Sequence, residues 1–287
     1  MIKKIAITGG KGGTGKSTVA TAFAIALSKK YKILFLDAAV DCPNDHLILN
    51  IKRKQEKEIF HQIPKFYPEK CIKCGKCAEV CRENAIIFVK NKNPIFLTDQ
   101  CIGCGACMIT CPNGAIGKTK KKIGTVYSGI HKNIGFFSAE TEIGTEEESP
   151  IVNGLREFTK KEEKNYDYIL LDTSPGTHCN VISALEGCDL AFSVTEPTPF
   201  GAHDLELSLK LLKLLKIPTK IVLNKSDLGD KKLIEDIAKK YQTEIIAEIP
   251  FNKQIVLDYS SGKPITAPNI NKMVKFLEKE NNILKEK

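Results

Sequence analysis

Ten residues near the start of the chain, Gly9-Gly10-Lys11-Gly12-Gly13-Thr14-Gly15-Lys16-Ser17-Thr18, constrain its folding more than any other segment. They lie between an apolar run at 5–8 and a stretch of helical period at 16–29, giving the order strand, glycine-rich turn, helix. Glycines there let the backbone curl with its N–H groups facing inward, and the helix adds the positive end of its dipole. Such a turn grips phosphate. Lys16 is placed to reach the β- and γ-phosphates of a nucleotide, and the Ser17 hydroxyl to ligate Mg²⁺. A bare GxGxxG would say little; Lys-Ser after the last glycine, with these flanks, makes the phosphate-loop reading specific.

Five more short apolar runs, at 33–37, 168–172, 190–195, 220–224 and 245–249, read as buried strands. Between most of them lie segments of helical period at 151–164, 204–215 and 231–241, a rhythm that builds a parallel α/β sheet with helices on both faces. The rhythm stops after Asp37 and resumes near Ile151. The predicted architecture is a parallel-sheet P-loop NTPase interrupted by a small α+β insert, with segments 1–60 and 120–287 flanking an insert at 61–119. A chain of 287 residues is long enough for both cores.

The gap holds a duplication. Cys71-Ile72-Lys73-Cys74-Gly75-Lys76-Cys77, then Cys81 and Ala85-Ile86, returns thirty residues later as Cys101-Ile102-Gly103-Cys104-Gly105-Ala106-Cys107, then Cys111 and Ala115-Ile116. Eight of the sixteen aligned positions are identical. The spacing Cys-x2-Cys-x2-Cys-x3-Cys is that of 4Fe–4S ligation in two-cluster ferredoxins, where the fourth cysteine serves the other cluster. By that crossing rule Cys71, Cys74, Cys77 and Cys111 hold one cluster, and Cys101, Cys104, Cys107 and Cys81 the other. Zinc sites pair CxxC units instead, and disulfides give no reason for the same spacing twice. Pro112 follows the second run, whereas Arg82 stands where a proline is expected after the first. About sixty residues hold little apolar core, so clusters would also staple the insert. Its eight basic against four acidic side chains suit an acidic redox partner or, equally, a solvated surface.

The lysine at position 11 narrows the phosphate loop further. Gly-Lys-Gly-Gly-Thr-Gly-Lys-Ser resembles the deviant Walker A loop of the MinD/ParA/Mrp ATPases (the SIMIBI class, which includes the nitrogenase iron protein). The resemblance continues at Asp172-Thr173-Ser174-Pro175-Gly176 and at Glu196-Pro197-Thr198-Pro199-Phe200-Gly201, spanning almost the whole chain. It implies an ATP-bound homodimer in which Lys11 reaches the partner's nucleotide. It also implies phosphate contacts from Gly10 through Thr18, and Asp172 receiving a hydrogen bond from Mg²⁺-bound water. Asn224 and Pro250 would then flank the base. Asn224-Lys225-Ser226-Asp227 also fits the guanine-reading NKxD pattern, which leaves GTP open beside ATP. The family's first switch carries two aspartates; here Asp37-Ala38-Ala39-Val40-Asp41 keeps the first and has Ala39 in place of the second. Either Asp41 substitutes for it or hydrolysis is slow, so the expected activity is a weak ATPase.

The net charge of +9 is spread along the chain without interleaved aromatics, so nucleic acid is not supported as a partner. The first residues lead straight into a strand, so no cleavable leader is expected; no apolar stretch nears the roughly 18 residues of a membrane span, and a cytoplasmic location is expected. Three cysteines remain, Cys42, Cys179 and Cys188, all expected to be buried small side chains. Cys179 stands seven residues after Asp172, where the resemblance places a cluster-bridging cysteine of the nitrogenase iron protein, but no second such ligand is found. The stretch 270–284 is expected to pack against the domain as an amphipathic helix rather than bind membrane. The function implied is ATP-gated electron transfer to a partner protein; the alternatives are cluster assembly or carriage for client proteins as in Mrp, and an ATP-dependent positioning switch with structural or redox-sensing clusters.

Overall fold

The computed structural model of the protein describes residues 3–145 and 147–286. The strands are β1 (Lys4–Thr8), β2 (Ile33–Ala38), β3 (Lys54–Phe66), β4 (Ile86–Ile87), β5 (Ile95–Phe96), β6 (Ile116–His131), β7 (Ile134–Thr141), β8 (Tyr168–Thr173), β9 (Leu190–Thr195), β10 (Thr219–Asn224) and β11 (Ile245–Ile249). The helices are α1 (Lys16–Ser28), α2 (Asp45–Ile48), α3 (Lys76–Glu79), α4 (Ala106–Thr110), α5 (Ser149–Thr159), α6 (Cys179–Leu185), α7 (Pro199–Leu214), α8 (Lys232–Lys240), α9 (Lys253–Ser260) and α10 (Asn271–Glu286).

Among the described residues nine strands form one sheet in the order β11-β10-β9-β1-β8-β2-β7-β6-β3. From β11 to β7 every neighbouring pair is parallel. The six expected strands are all there, but the sheet is mixed. β6 turns back from β7, and β3 pairs antiparallel with β6. The ribbon escaped the sequence reading because its outer strand is mostly exposed and runs Lys-Gln-Glu-Lys-Glu before Pro64. Charge and proline on an edge strand prevent further pairing, so no buried apolar run marks it. β7 does carry such a run, Ile-Gly-Phe-Phe-Ser-Ala, and extends the parallel sheet beside β2.

Alternate residues of each central strand face opposite layers. In β2, Ile33 and Phe35 join one core with Phe23, Phe136, Phe192, Met273 and Leu277 under α1 and α10. Leu34 and Leu36 join the other with Ile151, Leu155 and Leu185 under α5 and α6. The C-terminal helix thus packs on the domain as expected: Met273 and Leu277 are buried and Phe276 meets Phe192 edge-on at 6.2 Å, while Ile283 and Leu284 face outward. Phe23 is fully enclosed and meets Phe192 edge-on at 5.5 Å. Phe23→Ala is therefore expected to cost about 3–5 kcal/mol in urea unfolding. A loss below about 1 kcal/mol would mean the layer collapses around the cavity.

The duplicated cysteines occupy a lobe at the far end of the ribbon rather than a separate globule. Expected boundaries at 61 and 119 both fall inside the ribbon, where His61 pairs with Lys121 and Ile63 with Thr119. The lobe proper spans 67–115, over a small core of Cys77, Ile86, Cys107 and Ile116 with Phe66 and Phe96 against it. The chain reaches it directly from the nucleotide side, passing from β2 through α2 into β3.

Candidate functional site

At the carboxyl end of β1 the glycine-rich turn wraps the start of α1. Gly15 has φ of 90°, and a Cβ there would strike the Asn224 side chain. That side chain holds the turn in place, since Asn224 Nδ2 donates to the Thr14 carbonyl at 2.8 Å and Lys225 Nζ to the Gly13 carbonyl at 3.0 Å. Gly12 and Gly13 face open space, as a backbone approached by phosphate must. Lys16 is buried and donates to the Lys11 carbonyl at 2.8 Å; burial lowers its pKa, opposed by Asp172. Ser17 Oγ donates to Asp172 Oδ2 at 2.6 Å. The two side chains expected on the Mg²⁺ side therefore touch each other.

A cavity of about 500 Å³ opens over this turn. Of the expected residues, Gly12, Gly13, Gly15, Lys16, Ser17 and Thr18 line it, with Asp41, Asn224 and Pro250. Gly10, Lys11, Thr14, Asp37 and Asp172 do not. Gly10 packs against the backbone of Asp204, and buried Thr14 donates to the Lys11 carbonyl. Lys11 turns away from the cavity to Glu196, at 3.3 Å, and lies over the Phe200 ring. Glu196 also holds Lys225 at 3.0 Å. Burial works against its ionisation, but the two lysines outweigh that and bring its carboxyl below the usual range. Asp227 Oδ1 accepts the Phe251 amide at 2.6 Å, so one oxygen of the NKxD carboxylate is spent on the loop.

Beneath the cavity three carboxylates are buried together. Asp37 Oδ1 accepts the Ala39 amide and Oδ2 the Asp45 amide, both at 3.2 Å. Sequence reasoning missed Asp45, whose only signal was an acid directly after the Pro-Asn of the switch segment. Burial, then repulsion from Asp172, pushes the Asp37 carboxyl upward; burial, then repulsion from Asp37 and Asp172 and a hydrogen bond with Asp172, does the same for Asp45. Burial also raises Asp172, opposed by Ser17 and Lys16.

In the cysteine lobe the two repeats exchange their ends. Phe66, ahead of the first repeat, pairs with Ile116 behind the second, and Phe96, ahead of the second, pairs with Ile86 behind the first. The Tyr67 amide likewise donates to the Ala115 carbonyl and the Leu97 amide to the Ala85 carbonyl, both at 2.8 Å. This twofold swap carries each fourth cysteine to the opposite repeat. Cys71, Cys74, Cys77 and Cys111 line one narrow cavity. Cys81, Cys101, Cys104 and Cys107 line another, of about 550 Å³, with Arg82 at its wall. Backbone amides of Lys73 and Ala115 point at Cys71 Sγ and Cys111 Sγ, at 3.4 and 3.3 Å. Burial, and then the neighbouring thiols, pushes Cys107 up to about 11. Among the described residues no group of three or more His, Cys, Asp or Glu closes on a single metal ion. Of the remaining cysteines Cys188 is buried as expected, but Cys42 and Cys179 are exposed, on the switch segment and at the start of α6.

Among the described residues no helix is long and apolar enough to cross a membrane. In overall shape the chain is similar to MinD of Pyrococcus horikoshii in complex with Mg-ADP, with a TM-score of 0.62 at 20% identity over 99% of this chain and 98% of that one. It also resembles a Cyanothece McdA variant in complex with ATP, with a TM-score of 0.59 at 16% identity over 97% and 95%. Two uncharacterized proteins of Methanocaldococcus jannaschii are 34% and 35% identical, covering 90% and 88% of this chain and 90% and 86% of their own lengths. An iron-sulfur cluster carrier protein of Rickettsia bellii is 32% identical over 36% of this chain and 33% of its own length. Residues 5–265 match the model of the CobQ/CobB/MinD/ParA nucleotide binding domain, which takes in the phosphate loop, the buried carboxylates and the cysteine lobe. The chain belongs to that family of nucleotide-binding P-loop proteins.

Proposed function

We propose that this protein is an ATP-operated iron–sulfur protein that handles clusters for client proteins, working as a homodimer. One observation carries the iron–sulfur half: each cavity of the lobe is lined by four cysteines, three from one repeat and the fourth from the other. The donor set suits a 4Fe–4S cluster, whose four irons need sulfurs spread around a space rather than converging on a point. That is compatible with the lack of a single-ion ligand set. Bound clusters would supply one-electron chemistry and negative charge. The chain's own part is to present thiolates, point amides at their sulfurs, and bury Cys77 and Cys107 while Cys74 and Cys104 remain exposed.

Cluster handling is favoured over electron delivery by the relative named as a carrier and by the exposed cysteine at each cavity. Electron delivery has the complete four-cysteine sets in its favour, since full ligation suits retention. In both readings ATP acts on the segment between Asp37 and Ile48, which continues into β3 and so pulls on the lobe. An iron-transfer assay separates them. The anaerobically loaded protein is mixed with an apo-ferredoxin in Mg-ATP, and iron is counted on each after separation. Handling predicts that most iron moves, faster with ATP than without. Full retention would leave electron delivery as the reading that stands.

A further inference from the structure

The switch segment of this chain has Ala39 where a second acid is expected, yet the pocket beneath the phosphate loop is not short of acid. Asp37 is occupied: both of its oxygens accept backbone amides, Ala39 on one and Asp45 on the other. That clamp folds the segment back on itself and carries Asp45 inward, to 0% exposure. No protein N–H or hydroxyl donor reaches either oxygen of Asp45 or Asp172 Oδ1, and the two carboxyls face each other closely enough to share a proton. Asp172 Oδ2 is held by Ser17, the hydroxyl that the phosphate loop offers to Mg²⁺. Two buried carboxyls face to face, beside a serine of this kind, are costly unless a shared proton or a cation compensates them, and a cation would displace that proton. Mg²⁺ at nucleotide sites takes one or two carboxylates and fills its remaining positions with phosphate and water. Asp45 and Asp172 meet that count, and the small Ala39 side chain lines the cavity.

We propose that Asp45 belongs to the shell of the nucleotide's Mg²⁺, replacing from six residues further along the carboxylate that Ala39 lacks. Its place in the chain gives it a second consequence. Asp45 opens α2, and α2 leads into β3, so a cation held there ties the nucleotide to the ribbon that carries the cysteine lobe. The inference rests on the nucleotide half of the proposed function and is independent of the clusters.

The test uses the full chain and a fluorescent ATP analogue, with affinity measured across a Mg²⁺ titration and in excess chelator. Asp45→Asn keeps the shape and removes the charge. The Mg²⁺ concentration for half-maximal enhancement should rise about 10- to 100-fold, as when groups around a bound metal are removed. Affinity in chelator should stay within about twofold. Ala39→Asp placed in the Asp45→Asn background should restore most of the Mg²⁺ response. An unchanged Mg²⁺ titration in folded Asp45→Asn overturns the proposal. Asp45→Ser neutralises the site with a smaller side chain and is read the same way. Failure of both variants to fold in Mg²⁺-free buffer also overturns it, because a side chain kept for a cation is dispensable to the empty fold. A parent protein that binds no analogue at all would instead sink the nucleotide reading.

Discussion

Lys16→Ala is expected to weaken binding of ATP about 100-fold, the loss of roughly 2.7 kcal/mol from charged hydrogen bonds to phosphate. The side chain is buried within the turn and already extends to the Lys11 carbonyl, so its ammonium is held where phosphate would arrive. Burial disfavours its charge while Asp172 favours it, so an incoming triphosphate relieves an ammonium that is only partly compensated. Lys11→Ala should behave differently. Lys11 is tied to Glu196 outside the cavity, so its removal should leave affinity within about threefold and act instead on pairing of ATP-bound chains. Calorimetric titration of both variants, with sedimentation in the presence of ATP, checks the pair of expectations. Equal losses of affinity from the two lysines would contradict the division of labour.

The second large effect concerns which cysteines act together. Serine is a poor substitute for a thiolate toward iron, and two serines in one set should empty it. The double change Cys71→Ser with Cys111→Ser is expected to remove one cluster and leave about four irons per chain, the content of one 4Fe–4S cluster. Cys71→Ser with Cys81→Ser removes one ligand from each set, and both clusters should become labile. A repeat that kept its own fourth cysteine would give the opposite ranking. Iron analysis and low-temperature electron paramagnetic resonance of the anaerobic variants decide between them. The swapped pairings, Phe66 with Ile116 and Phe96 with Ile86, are the physical reason to expect the crossed result.

The parts of this fold legible in the sequence are those where one strong requirement acts on neighbouring residues. A buried parallel strand must be apolar on both faces, so β1, β2 and β8 to β11 were visible as runs. A phosphate turn needs glycine at positive φ and a lysine after it, so Gly15 and Lys16 were visible too. The ribbon was not, because an edge strand such as β3 is selected for charge and exposure, which look like a loop. Asp45 was hidden for another reason. Its burial follows from Asp37 turning the chain by backbone hydrogen bonds, and nothing in residue type or spacing encodes that turn. Cys42 and Cys179 show the limit of composition: a cysteine outside a spaced set is expected to be buried, yet both are exposed.

Coupling between the nucleotide site and the cysteine lobe, joined by the run from Asp37 through α2 into β3, is the central expectation. Its most direct test is to titrate Mg-ATP into the anaerobically loaded protein while recording the visible and paramagnetic signals of the reduced clusters. Coupled halves give cluster signals that change with ATP and saturate at the nucleotide's own dissociation constant, with no change in Asp45→Asn at low Mg²⁺. Cluster signals that stay constant through saturation with ATP would contradict it.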